Sequence, residues 1–311
     1  MGKLLEGKVA IVTGAGRGLG RWEALLLARE GAKVVVNDLG GGFDGSGKAT
    51  GPADEVIAEI NGAGGEAIAN YESVADFQGA KRIIDCAIEK FGKLNILVNN
   101  AGILRDRMMF NMSEEEWDAV IGVHLKGTFN CSRHACAYWR EEHKAGRNHE
   151  GKVINTASDA GLLGNPGQGN YGAAKAGIAA LSIILAKEME RYGVTCNCVV
   201  PVARTRLTTD ATPSMAAMMG TAKPGEFDIF DPEHLSPLVV YLASDNAKEI
   251  SGETFRVMGN KVWFLRGWYN VDVATKKEKA RWNPEELDSV IKEMVKKAPP
   301  KKDLAQVLLE A

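Results

Sequence analysis

Residues 8–38 constrain this chain more than any other stretch. They join an apolar run, a glycine-rich turn, a helical pattern and a second apolar run without a break. Lys8-Val9-Ala10-Ile11-Val12-Thr13 is short, apolar and rich in β-branched residues, and reads as a buried strand. Gly14-Ala15-Gly16-Arg17-Gly18-Leu19-Gly20 follows. A helix is expected over 22–30, stopped by Gly31, and a second strand over 33–37, ending at Asp38. The glycines let the backbone turn tightly and approach a pyrophosphate. The helix N-terminus behind them offers free N–H groups and the positive end of its dipole. Asp38 lies roughly 20 residues beyond the glycines, where an acidic side chain accepts hydrogen bonds from an adenosine ribose. The unit has the dinucleotide-binding layout, with Gly14, Gly16, Arg17, Gly18, Leu19 and Asp38 as cofactor-binding candidates. A 2′-phosphate would be repelled by Asp38, which points to NAD rather than NADP. Arg17 is the counter-evidence, outweighed because Asp38 sits at the strand end.

The chain keeps alternating beyond this unit. Helices are expected over 53–60, 76–91, 169–192 and 232–244, and a long one opens at the capping box Ser113-Glu114-Glu115-Glu116. Strands are expected over 66–70, 94–98, 152–156, 194–200 and 253–257. Such alternation predicts an α/β fold: a Rossmann-like, doubly wound parallel sheet with helices on both faces. Ligands bind such sheets beyond the carboxyl ends of the strands. Asn99, Ser158 and Pro201 follow the fourth, fifth and sixth strands, so the candidates gather on one edge.

Tyr171 and Lys175 bring chemistry to that edge. Positions i and i+4 share a helix face, so the ammonium can approach the phenol. A phenol ionises near pH ~10, and a nearby cation is expected to lower that value. Tyr171 is then a base for alcohol oxidation and an acid for ketone reduction. Ser158, from a separate loop, can hydrogen-bond the substrate oxygen.

Thr13 to Gly20, Asn99-Asn100-Ala101-Gly102, Ser158 and Tyr171…Lys175 together resemble the short-chain dehydrogenase/reductase family, from about residue 8 to about 257. Segments 36–41, 69–71, 102–107 and 123–127 carry a narrower likeness. It is to (3R)-hydroxyacyl-CoA dehydrogenase domains of the peroxisomal multifunctional enzyme type 2 group, also called 17β-hydroxysteroid dehydrogenase type 4. The resemblance implies NAD-dependent hydride transfer at a secondary alcohol, on a 3-hydroxyacyl-CoA thioester. A hydroxysteroid is the alternative substrate, and a non-enzymatic NAD sensor the alternative function. It also implies that Lys175 binds the nicotinamide ribose. Ser73, Val74, Asn100, Ala101, Gly102, Tyr171, Lys175 and Pro201 join the cofactor-binding set. His124 stands where the family usually has an asparagine of a proton relay. Two readings follow for it, a relay member or a packed helix histidine. The usual Pro-Gly after the sixth strand is Pro201-Val202 here. Arg204 and Arg206 beyond it read as solvated cations, with contact to an anionic substrate part as the alternative.

Other features exclude more than they propose. Gly42 to Ala49 matches most of a phosphate-binding loop, but Ala49 lacks the hydroxyl for Mg²⁺, and a flexible glycine loop is expected. Cys196 and Cys198 lie on one face of a strand without finger-spaced partners, so no metal site is expected. A formal charge of −2 gives no electrostatic footprint for nucleic acid. No apolar run has the length of a membrane span. Five cysteines without a signal-like leader or a Ser-Lys-Leu ending make the cytoplasm the expected compartment.

Residues 208–230, with Met215, Met218 and Met219, read as a substrate lid. Residues 1–259 are expected to form the cofactor-binding and catalytic domain. Residues 260–311 are expected to form an extension not needed for the sheet, packing on the body or on a partner in a homodimer or homotetramer. A helix is expected there from 283 to about 297 and a shorter one over 304–309.

Overall fold

The computed structural model describes residues 3–147, 150–209, 217, 219–223, 225–276, 281–302 and 306–307. Met215, Met218 and most of 304–309 lie outside them. The eight strands are β1 Val9–Thr13, β2 Lys33–Asn37, β3 Glu66–Asn70, β4 Ile96–Asn99, β5 Lys152–Thr156, β6 Thr195–Pro201, β7 Thr254–Met258 and β8 Lys261–Leu265. They form one sheet in the order β3-β2-β1-β4-β5-β6-β7-β8, and all neighbours run parallel except β7 and β8. The order reverses direction between β1 and β4, where the crossovers switch faces and leave a crevice.

The helices are α1 Gly18–Arg29, α2 Gly51–Gly62, α3 Phe77–Phe91, α4 Glu114–Ile121, α5 Gly127–Lys144, α6 Asp159–Leu162 and α7 Gly169–Met189. Two further helices span Ser236–Ala243 and Pro284–Lys297. The two sheet faces bury separate cores. On one, Ala24 and Leu27 of α1 pack with Val56 of α2, Val239 and Val240. On the other, Ile83 and Ile84 of α3 pack with Trp139 of α5 and Leu185 of α7. Central strands covered on both faces need apolar side chains at every position, and all five residues of β1 are buried.

The structure departs from expectation in four places, each with a local cause. First, α1 starts at Gly18 rather than at Trp22. Its first turn holds Gly20, where a Cβ would overlap the Gly14 carbonyl, so close approach to the turn outweighs poor helix propensity. Second, the long helix opened by Ser113 is interrupted by a π-helical turn, Gly122–Lys126, which carries His124. Third, residues 232–244 split into a 3₁₀ turn, Pro232–Leu235, and the helix Ser236–Ala243. Pro237 near the start of that helix lacks an N–H, which suits a new first turn.

Fourth, the sheet does not end at β7. Gly259-Asn260 makes a two-residue turn, Gly259 at φ 55°, and β8 returns antiparallel. The alternating exposure along Lys-Val-Trp-Phe-Leu is that of a half-buried edge strand. Trp263 packs near Met219, Ile229 and Phe230. Trp268 and Tyr269 stand exposed rather than packed on the body. Among the described residues no helix is long and apolar enough to cross a membrane.

Candidate active site

The cofactor half of the crevice is built from backbone. Thr13 ends β1, and its hydroxyl accepts hydrogen bonds from the amides of Asn100 and Ala101 at 3.1 Å each. The Asn100 side chain donates to the carbonyls of Thr13 and Gly14, both at 3.1 Å. These bonds staple the end of β4 to the glycine turn. Gly14 has φ 65°, and a Cβ there would lie 2.7 Å from the Ala101 Cα, so only glycine fits. The Gly16 amide donates to Asp38 Oδ2 at 2.7 Å, and the Gly40 amide donates to Asp38 Oδ1 at 2.6 Å. The carboxylate is thereby fixed at the end of β2. Arg17 is the N-cap of α1 but gives no side-chain cap, so the first-turn amides are free for an anion.

These features border a cavity of about 270 Å³. Gly14, Arg17, Gly18 and Leu19 form one wall, and Asp38, Ser73 and Val74 line it at the ends of β2 and β3. Asn100, Ala101 and Gly102 form its floor. Asn130 of α5 holds the Val74 carbonyl at 2.8 Å. Gly42, Phe43, Gly45 and Gly47 also line the cavity, and this loop starts no helix; α2 begins at Gly51. The loop is tied down: Leu104 N donates to the Phe43 carbonyl at 2.9 Å, and Arg105 Nε to the Asp44 carbonyl at 3.0 Å. Free amides for a diphosphate, an anchored carboxylate for ribose hydroxyls and a glycine wall fit a dinucleotide.

The chemical half is built from buried side chains. A second cavity, of about 140 Å³, shares Leu19, Asn100 and Gly102 with the first. Ser158, Tyr171, Lys175, His124 and Pro201 all line it, so the structure brings these sequence candidates together. Ser158 is the N-cap of α6, accepting from the Ala160 amide at 3.3 Å, and it hydrogen-bonds the Tyr171 hydroxyl. Lys175 Nζ lies 5.6 Å from the Tyr171 ring centroid and donates to the Thr156 carbonyl at 2.6 Å. Asn170 was not anticipated. It is wholly buried, accepts from the Tyr171 amide at 2.7 Å, and donates to the Arg105 and Glu116 carbonyls at 3.1 Å each. It ties the start of α7 to the loop after β4. Nothing but its place beside Tyr171 signals this in the sequence.

The electrostatics correct one expectation. Lys175 was expected to depress the Tyr171 pKa. Burial instead pushes Tyr171 up to about 12, against a lowering hydrogen bond from Ser158 and with a further rise from Asp106 and Asp159. Burial pushes Lys175 down to about 8, opposed by Cys198 and Glu23. The ammonium is directed at the Thr156 carbonyl, and desolvation of the phenolate dominates. His124 is pushed down to about 3 by burial and then by the Lys175 charge, so its imidazole is neutral. Its Nε2 lies 2.7 Å from the Ile103 carbonyl and 3.0 Å from the Ile103 amide, giving either tautomer a partner. Its Nδ1 is buried without one, and its ring meets the Tyr171 ring edge-on at 5.1 Å.

Arg204 is neither a solvated cation nor free for an anion. It pairs with Asp228 and donates to the carbonyls of Met219, at 3.1 Å, and Gly220. It therefore closes the segment after β6 onto itself. Arg206 is exposed and lines the larger cavity. The Cys196 and Cys198 thiols are free and buried, and burial raises both.

A family profile described as short chain dehydrogenase matches residues 8–216, more than half of the chain. The hydroxyacyl-CoA dehydrogenase ChsB1 of Mycobacterium tuberculosis is 44% identical over 294 residues, covering 93% of this chain and 89% of that one. The peroxisomal multifunctional enzyme type 2 of Drosophila melanogaster is 46% identical over 249 residues, 80% of this chain but only 38% of the larger enzyme. The crystal structure of a short chain dehydrogenase from Mycobacterium avium superposes with a TM-score of 0.84 at 49% identity. That match covers 96% of this chain and 98% of the other.

Proposed function

The chain belongs to the short-chain dehydrogenase/reductase family, and from that premise we propose that it is an NAD-dependent dehydrogenase of 3-hydroxyacyl-CoA thioesters. The convergence of Ser158, Tyr171 and Lys175 beside the dinucleotide-shaped cavity carries the reading. The name of the similar M. tuberculosis protein, a hydroxyacyl-CoA dehydrogenase, supports the substrate class. Asp38 supports NAD, because its anchored carboxylate would repel a 2′-phosphate.

The amides of the α1 first turn would hold the diphosphate, Asp38 the adenosine ribose, and Lys175 the nicotinamide ribose. Bound NAD would supply the hydride acceptor. Tyr171, with its proton held tightly, is set to donate to the oxygen of a ketone. In the oxidation direction the phenol first gives up its own proton to solvent, and the phenolate then takes the alcohol proton. Ser158 donates to the same substrate oxygen and stabilises charge developing there. His124, neutral and wedged against Gly102, holds the Ile103 backbone and the edge of the Tyr171 ring in place.

We place the reaction in the cytoplasm, which the five free thiols suit. We take residues 1–259 as the catalytic body, to whose sheet the extension adds β8. Exposed Phe264, Trp268 and Tyr269 of the 260–311 extension support a homodimer or homotetramer. Assay of the chain with NAD against a 3-hydroxyacyl-CoA and a hydroxysteroid, side by side, tests the proposal. Turnover of the thioester is expected. Turnover of the steroid alone would replace it with a hydroxysteroid dehydrogenase, and turnover of neither would refute it.

A further inference from the structure

Glu23 is wholly buried on α1, and neither of its carboxylate oxygens has a hydrogen-bond partner. Among the described residues the hydroxyls of Thr156 and Ser236 are also buried without a partner. All three belong to one layer. Ala24 and Leu27 of α1 share a core with Ile154 of β5, Val199 of β6, Val239 and Val240. Thr156 is two positions from Ile154, so their side chains leave the same face of β5. Ser236 opens the helix that packs on both α1 and β5.

Glu23 also stands one helical turn beyond Leu19, which lines both cavities. Helical side chains lean toward the helix N-terminus, so the carboxyl is directed to the end of α1 that faces the crevice. Thr156 links the two sides: its hydroxyl faces the α1 layer, and its carbonyl accepts Lys175 Nζ.

Lys175 is the charge that acts on Glu23, and Glu23 acts on Lys175 in return. The other ionisable groups on elements around α1 are engaged or distant. Arg21 pairs with Glu59 of α2, and Asp54 accepts from Tyr71. Lys33 of β2 pairs with Glu66. Glu233 is exposed, and His234 Nε2 bonds the Asp228 carbonyl at 2.8 Å. Tyr241 is exposed, and Lys152 lies at the far end of β5. β1 has no ionisable side chain.

We propose that Glu23 is a positioning residue for the reaction: acting from beneath the crevice through Lys175, its carboxyl keeps that ammonium charged beside the Tyr171 ring. This rests on the dehydrogenase reading for its consequence in turnover, but not for its physical content. Burial pushes Glu23 up to about 8, against the lowering pull of Lys175. Burial lowers Lys175 to about 8 even with Cys198 and then Glu23 supporting its charge. The two groups titrate in one range, so a proton that leaves the carboxyl first is one that the ammonium keeps.

The test uses the full chain as wild type, E23Q and the apolar near-isostere E23M. Three measurements are made across pH: kcat/KM with NAD and a 3-hydroxyacyl-CoA, NAD affinity, and thermal unfolding. In both variants Lys175 loses its supporting anion. The alkaline limb of kcat/KM and of NAD affinity is expected to move to lower pH by roughly one unit, a tenfold loss on that limb with little change near neutrality. For stability, a carboxyl raised in the fold contributes fully below its unfolded value near 4.5, and loses that contribution as pH rises through about 8. The unfolding temperature of E23Q relative to wild type is therefore expected to climb with pH across this window. Superimposable pH profiles of NAD affinity, or a loss equal at every pH in both variants, overturn the proposal. If wild type turns over no substrate, the dehydrogenase reading fails, while the binding and unfolding profiles still decide the role of Glu23.

Discussion

The two halves of the crevice are made of different material. The cofactor half is backbone: glycines at 14, 16, 18 and 20, amides of α1, an asparagine that donates to carbonyls and a threonine that accepts from amides. The chemical half is side chains: a phenol, an ammonium and an imidazole, each displaced from its usual pKa by burial. The contrast shows how a shared frame can host different substrates. Backbone recognition of a diphosphate tolerates little variation, whereas buried charges can be retuned by single neighbours.

If the halves are separable, Tyr171→Phe breaks one and spares the other. Turnover is expected to fall by at least about a thousandfold, while NAD affinity, measured by fluorescence titration, stays within twofold. Equal loss of both would show that the halves are one unit. Gly14→Ala attacks the opposite half. The left-handed φ and the 2.7 Å approach to Ala101 are expected to cost about 2–3 kcal/mol in urea unfolding and to abolish NAD binding.

The contrast also predicts where pH acts. His124 falls from 6.5 to about 3 in the fold, so its contribution is present above 6.5 and is lost as pH falls toward 3, while the unfolded chain takes up the proton. His124→Gln is expected to flatten the unfolding profile in that window by up to about 5 kcal/mol. A profile parallel to wild type would mean that the ring titrates normally. The smallest effect is expected in the cofactor half. Asp38→Ala should relax the preference for NAD over NADP by roughly tenfold, about 1.4 kcal/mol, read from the two kcat/KM values.

The β1-turn-α1-β2 unit, the parallel sheet and the edge where the candidate residues gather were legible because each is written in local pattern. Strand runs, glycines and the Ser113 capping box carry their own geometry. Illegible were the features set by distant neighbours. Residues 261–265 did not announce a strand, because an edge strand alternates weakly and has one partner. The π-turn around His124 left no local mark. Glu23 reads as an ordinary helix glutamate until α1, β5 and the helix Ser236–Ala243 close around it.

The sequence alone determined the glycine turn and the α1 start whose amides stay free, since glycine spacing and helix start are short-range steric facts. It also placed Ser158, Tyr171 and Lys175 on one sheet edge, through the parallel crossovers. Only the tertiary structure decided their charge. Desolvation depends on every element packed around a group, so it raised Tyr171, lowered Lys175 and brought Glu23 into play, none of which residue spacing can encode.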